Sequence, residues 1–161
     1  MIARVLAFFL AIAVIVPAAS AAAASSKSPV VLSLLYPIAT NRDPQVATSV
    51  HLSVLYGHVG SVDGLGLHGI ASLTGGDVRA VQLTGVYSQI YGKASGIHLT
   101  GAASYVMGDE SGIHLSGLAN IAGGKLRGLQ WAGLVNVAGK GMTGIQATTL
   151  FNVADGPGRG V

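Results

Sequence analysis

A sixteen-residue period governs this chain. Six copies begin at Gly64, Ala80, Gly96, Gly112, Gly128 and Gly144 and follow one another without insertion or deletion. They read GLGLHGIAS, AVQLTGVYS, GIHLTGAAS, GIHLSGLAN, GLQWAGLVN and GIQATTLFN. A strict period means one supersecondary unit stacked on copies of itself, each held mainly by its neighbours. Such an array repeats like residues at many places, whereas catalysis needs unlike residues gathered at one.

Within each copy the residue after the leading small residue is aliphatic (Leu65, Val81, Ile97, Ile113, Leu129, Ile145). The residue two further on is also apolar (Leu67, Leu83, Leu99, Leu115, Trp131, Ala147). Between them stand Gly66, Gln82, His98, His114, Gln130 and Gln146. This alternation predicts a strand with one buried and one wetted face. The aliphatic slots are expected to point inward, and Gln82, His98, His114, Gln130 and Gln146 to form an outward, hydrogen-bonding face for a surface ligand. Glycine follows in five of the six copies, where a missing Cβ permits a bend. A second strand-like piece comes next, clearest as LVNVA, and the glycine density argues against helix.

The expected class is therefore all-β, and the favoured architecture is a parallel β-solenoid of sixteen-residue coils with an N-terminal β cap. Coils stacked about 4.8 Å apart must share one length, which the absence of length drift satisfies. Stacking also places Ser72, Ser88, Ser104, Asn120, Asn136 and Asn152 in one slot, as a hydrogen-bonded ladder. The alternative is an antiparallel meander closing into a small outer-membrane β-barrel, because Val30–Tyr36, Ser49–Tyr56 and the six copies supply eight candidate strands. Against the barrel stand the uniform connections, the few aromatic residues and adjacent apolar pairs such as Leu134-Val135 and Leu150-Phe151.

Residues 1–21 read as a secretory signal: Arg4, an apolar run from Val5 to Val16, then Ala19-Ser20-Ala21 as a cleavage site. Residues 22–29 read as a linker, 30–62 as a cap, 63–156 as the array and 157–161 as a loose glycine-rich tail. With Arg4 removed, eight Lys or Arg stand against six Asp or Glu, scattered singly in the connections, so nucleic acid is not an expected partner. No cysteine is present to form a disulfide framework.

Several short motifs could carry chemistry. Gly64–Gly69 matches G-x-G-x-x-G, but no helix follows to receive a pyrophosphate. His98 and His114 would lie side by side in a solenoid and could share a metal, yet Gln fills the same slot elsewhere. Asp109-Glu110 is the only adjacent carboxylate pair and falls in a connection, where charge is ordinary. Gly75-Gly76-Asp77 resembles a fragment of a calcium-binding nonapeptide, but its Asp does not recur in register. No catalytic, cofactor-binding or metal residues are assigned, and no cofactor is expected.

The units GLANIAGGKLRGLQWAGLVNVAGKGMTGIQ resemble the repeats of a family of bacterial cell-surface proteins first named from Leptospira, with the consensus G-[LIV]-Q-[LIV]-[SA]-G-[LV]-[VF]-N-[VI]-A. SVHLSVLYGHVGSVDG is similar to the stretch that precedes the array in such proteins. The resemblance covers about residues 30–156 and is closest in the last three copies; earlier ones carry Ser in place of Asn, and Ala80 in place of Gly. It implies export to the surface or outer membrane of a Gram-negative bacterium, with no activity to carry over. The expectation is a non-enzymatic scaffold or adhesion surface, or else a small outer-membrane barrel acting as anchor or pore. Its partner would be a surface ligand or outer-membrane component, with self-association through the C-terminal coil.

Overall fold

The computed structural model describes residues 26–160, which are all β with no helix. The expected signal segment 1–21 and residues 22–25 of the expected linker lie outside the described residues. The chain opens with β1 (Ser26–Leu35), the two-residue β2 (Ile38–Ala39) and the long β3 (Val46–Val59). Pairs of one longer and one four-residue strand then alternate: β4 (Ser61–His68) with β5 (Ala71–Thr74), β6 (Val78–Thr84) with β7 (Tyr87–Ile90), and β8 (Ala94–Thr100) with β9 (Ala103–Val106). The series continues with β10 (Glu110–Ser116) and β11 (Ala119–Ala122), β12 (Leu126–Ala132) and β13 (Val135–Ala138), β14 (Met142–Thr148) and β15 (Phe151–Ala154), and ends at β16 (Arg159–Gly160).

Each longer strand pairs in parallel with the longer strand of the next coil, and each short strand with the next short strand. Gly96, Gly112, Gly128 and Gly144 lie directly over one another, as do Leu99, Leu115, Trp131 and Ala147. The fold is a parallel β-solenoid, and the parallel direction of every neighbouring pair in the array excludes the antiparallel barrel. The N-terminal coil is less regular. Thr48 sits against Val62 but Val50 against Leu65, so a bulge between them absorbs the one-residue slip visible in SVHLSVLY.

Two boundaries differ from the sequence-based expectation. β1 begins at Ser26, inside the expected linker, because Ser26, Lys27 and Ser28 find partners in Val46, Ala47 and Thr48. The expected loose tail places Arg159 and Gly160 against Thr143 and Gly144 of β14, since an unpaired strand edge is a template for any extended backbone.

Two glycine slots allow the coil to close. At the corner between the long and short strands, Gly69, Gly85 and Gly101 press on the coil below; a Cβ on Gly101 would stand 1.7 Å from the Gly85 carbonyl oxygen. Inside the long strand, Gly112 adopts φ +107°, a backbone state L side chains rarely enter. Gly101→Ala is therefore expected to cost about 1 to 3 kcal/mol through overpacking against backbone. Gly75→Ala, whose Cβ would find its nearest atom at 3.9 Å, should stay within about 0.5 kcal/mol. Urea unfolding of both variants checks this; equal midpoints would contradict the corner-packing account.

Candidate functional site

Strand alternation in the array runs opposite to the expected sense. Gln82, His98, His114, Gln130 and Gln146 are buried, at 5 % exposure or less, whereas Val81, Leu83, Ile97, Ile113, Trp131 and Ile145 are exposed at 40 to 51 %. The Gln/His slot is thus not an outward binding face. The reason is the width of the coil: sixteen residues enclose a lumen that takes Thr84, Thr100, Ser116 and Ala132 next to the amide or imidazole slot. Two rows of Leu and Ile at adjoining positions would overfill it. The sequence carried a signal for this, because the small residues at those positions share strand parity with the Gln/His slot.

Several of the polar side chains inside bond to one another along the stack, whereas Gln82 Oε1, Thr74 Oγ1 and both ring nitrogens of His51 find no hydrogen-bond partner. Gln146 Nε2 donates to Gln130 Oε1 at 2.8 Å, and Gln130 Nε2 donates to Glu110 Oε2 at 2.8 Å. Glu110 Oε1 lies 2.6 Å from His114 Nδ1, with both side chains 1 % exposed. His114 Nε2 donates to the Ser111 carbonyl at 3.1 Å. His98 and His114 stack with ring centroids 4.7 Å apart and planes 9° apart. Glu110, expected in a solvated connection, instead occupies the inward slot that Val78, Ala94 and Leu126 fill elsewhere.

The serine and asparagine slot lies across the lumen. Ser72, Ser88, Ser104, Asn120, Asn136 and Asn152 stand over one another in register. Asn120 Nδ2 donates to Asn136 Oδ1 at 3.3 Å, and Asn136 Nδ2 to Asn152 Oδ1 at 3.1 Å. The same amides tie the two walls of the coil, as Asn136 Nδ2 donates to the Ala147 carbonyl at 2.8 Å. Gln82 Nε2 performs this joining in the serine-bearing coils, reaching Ser88 Oγ at 3.0 Å.

A second histidine pair, not anticipated as a pair, lies in the first coils. His51 and His68 meet edge to face at 4.6 Å, and His68 Nδ1 is 2.9 Å from Ser53 Oγ. Among the described residues no group of three or more His, Cys, Asp or Glu is arranged to hold a metal. Burial drives the His51 and His98 pKa values down to about 4 and that of His68 to about 3, each assisted by a neighbouring histidine.

Outside, the chain sorts its side chains by edge. Asp77, Lys93, Asp109 and Lys125 recur sixteen residues apart at the turn from short to long strand, in alternating sign. Lys93 N–H donates to Asp77 Oδ1 at 2.8 Å and Lys125 N–H to Asp109 Oδ1 at 3.0 Å, which holds the Asp109 carboxyl below its ordinary range. The opposite edge is the glycine corner, where Ile70, Val86, Leu118 and Leu150 are exposed. Beside it runs an open groove of about 1090 Å³, walled by Leu67, Leu83, Leu99, Leu115 and Trp131 with the corner glycines as floor. This apolar edge and groove form the candidate functional surface.

Family models, curated proteins and solved structures give no match to this chain.

The buried histidines make stability depend on pH. Below about 6.5 the unfolded chain takes up protons that the folded chain refuses until about 4 for His51 and His98, or about 3 for His68. Stability is therefore full above the unfolded pKa and falls as pH drops from about 6.5 toward 4, by about 1.4 kcal/mol per pH unit for each histidine involved. His98→Gln, which installs the residue found at Gln82, Gln130 and Gln146, should fold and show a shallower acid slope in urea titrations. An unchanged slope would exclude His98 as a contributor.

Proposed function

We propose that this chain is an exported, non-enzymatic repeat protein of a Gram-negative cell surface, a scaffold whose working surface is the apolar corner and groove. One observation carries the reading: in coil after coil, hydrogen-bonding side chains turn inward while aliphatic side chains are left uncovered. Apolar patches beyond a few hundred Å² on a soluble chain mark interaction surfaces. His51, His68, His98, His114 and Glu110 are enclosed within the stack, where a substrate has no path to them, and this supports a structural role for them. Export is supported by the n-region, apolar run and Ala-x-Ala site of the first 21 residues, and by the resemblance of the last three copies to the Leptospira-type repeats.

The partner of this surface is an outer-membrane component or a neighbouring copy of the chain. The test is fractionation of cells expressing the full chain, with protease added to intact cells. The chain should be recovered with the envelope and be cut by external protease. Replacing Leu83 and Leu118 by Asp should release it from the envelope, while Gln82→Ala should lower stability without changing attachment. Recovery in the cytoplasm, or attachment indifferent to the leucines, would overturn the reading.

A further inference from the structure

The geometry points to a lipid leaflet as what covers the apolar corner: we infer that the solenoid lies along a membrane with the glycine corner and leucine groove immersed in acyl chains and the charged edge at the headgroups. This deepens the surface-scaffold reading by naming its partner, and it rests on that reading.

Three features favour lipid. First, the side chains are sorted for an interface. Every charged residue from Ser61 to Gly160 except Glu110 lies at or near the turn edge or in the terminal segment; Asp77, Arg79, Lys93, Asp109, Lys125, Arg127 and Lys140 run along it from coil to coil. The leucine row lies six residues from that turn and four from the outward Arg79 and Arg127, the latter about 13 Å along the strand. Interfacial structures bury their apolar face about 5 to 10 Å deep. Immersion to that depth takes in the corner residues Val86 and Leu118 and the Leu83 row, and leaves the charges among phosphates and water.

Second, the backbone at the corner can enter hydrocarbon. Gly85 N–H donates to the His68 carbonyl, Gly101 N–H to Thr84, Val86 N–H to Ile70 and Leu118 N–H to Ala102, all at 2.8 to 2.9 Å. Irregular backbone is excluded from lipid because its polar groups lack partners; here the next coil supplies them.

Third, the groove suits a partner without fixed shape. It extends over seven coils, about 29 Å at 4.8 Å per coil, and no charged residue lines it. A protein partner would ask for about one hydrogen bond per 100–200 Å². The hydroxyls at the groove belong instead to inward side chains such as Thr84 and Ser116, whose oxygens bond to Gln82 and Asn120.

Trp131, the single tryptophan, stands in the groove wall at 48 % exposure and reports on its surroundings. The purified chain is mixed with vesicles of phosphatidylcholine, and with vesicles containing phosphatidylglycerol, then floated on a density gradient while Trp131 emission is recorded. Flotation with both vesicle types, persistence in high salt, a blue shift of Trp131 emission and quenching by lipids brominated on the acyl chain are the expected results. Leu83→Asp with Leu118→Asp should reduce vesicle binding at least tenfold; Leu83→Thr with Leu118→Thr, which keeps strand-forming residues, should reduce it less, with unchanged circular dichroism.

Absence of flotation of the native chain overturns the inference, as does flotation that high salt abolishes without any Trp131 shift. A stable dimer in solution that the aspartate pair dissociates, with no vesicle binding, assigns the groove to a second copy instead. Envelope attachment of cells' own protein that needs Leu83 and Leu118, alongside failed flotation, would sink the lipid assignment and leave the surface-scaffold reading intact.

Discussion

The parallel backbone ladder between coils is the interaction on which the rest of this molecule depends. Its repeat of about 4.8 Å forces each side chain to sit over its counterpart one coil away, so every slot must tolerate contact with its own kind. Stacked amides do so by donating to the next carbonyl oxygen, as Gln146 does to Gln130 and Asn136 to Asn152. Stacked aliphatics do so by simple contact. Stacked carboxylates would repel, and among the described residues Glu110 is the one buried carboxylate, held between an imidazole and an amide.

That rule explains how a polar interior can be stable. Burying an unbonded amide is costly, but a column of amides has partners above and below by construction. The apolar part of the lumen, including Val46, Val62, Val78, Ile90 and Val106, sits under the charged edge, and the amide, imidazole and hydroxyl part sits under the apolar corner. Each coil therefore carries two opposed polarities: apolar side chains inside where charged ones stand outside, and polar side chains inside where apolar ones stand outside.

The period, the parallel stacking, the corner glycines and the in-register serine and asparagine slot were legible in the sequence, because equal coil length leaves few alternatives. The direction of the strand faces was not. Alternation of Ile97, His98 and Leu99 fits either sense, and the usual preference for apolar interiors decided it wrongly. The deciding facts were steric: the small Thr and Ser residues share parity with His98, and a narrow lumen has room only for that set. Glu110 was misplaced for the same reason, since a carboxylate beside Asp109 in a connection looks solvated until the stack shows Ala94 and Leu126 as its equivalents. The pairing of His51 with His68 crosses the bulged first coil, where spacing departs from sixteen and register arithmetic fails.

The alternation of Asp77, Lys93, Asp109 and Lys125 along the turn edge bears on how such a chain can lengthen. Lys93 Nζ reaches Asp109 Oδ2 at 4.0 Å, and the backbone contacts of Asp77 and Asp109 each lead to the following lysine. Duplicating a single unit would set two like charges on adjacent rungs, whereas duplicating a neighbouring pair preserves the sequence of signs. The repeat of charge along this edge is thus two coils long, twice the repeat of the backbone.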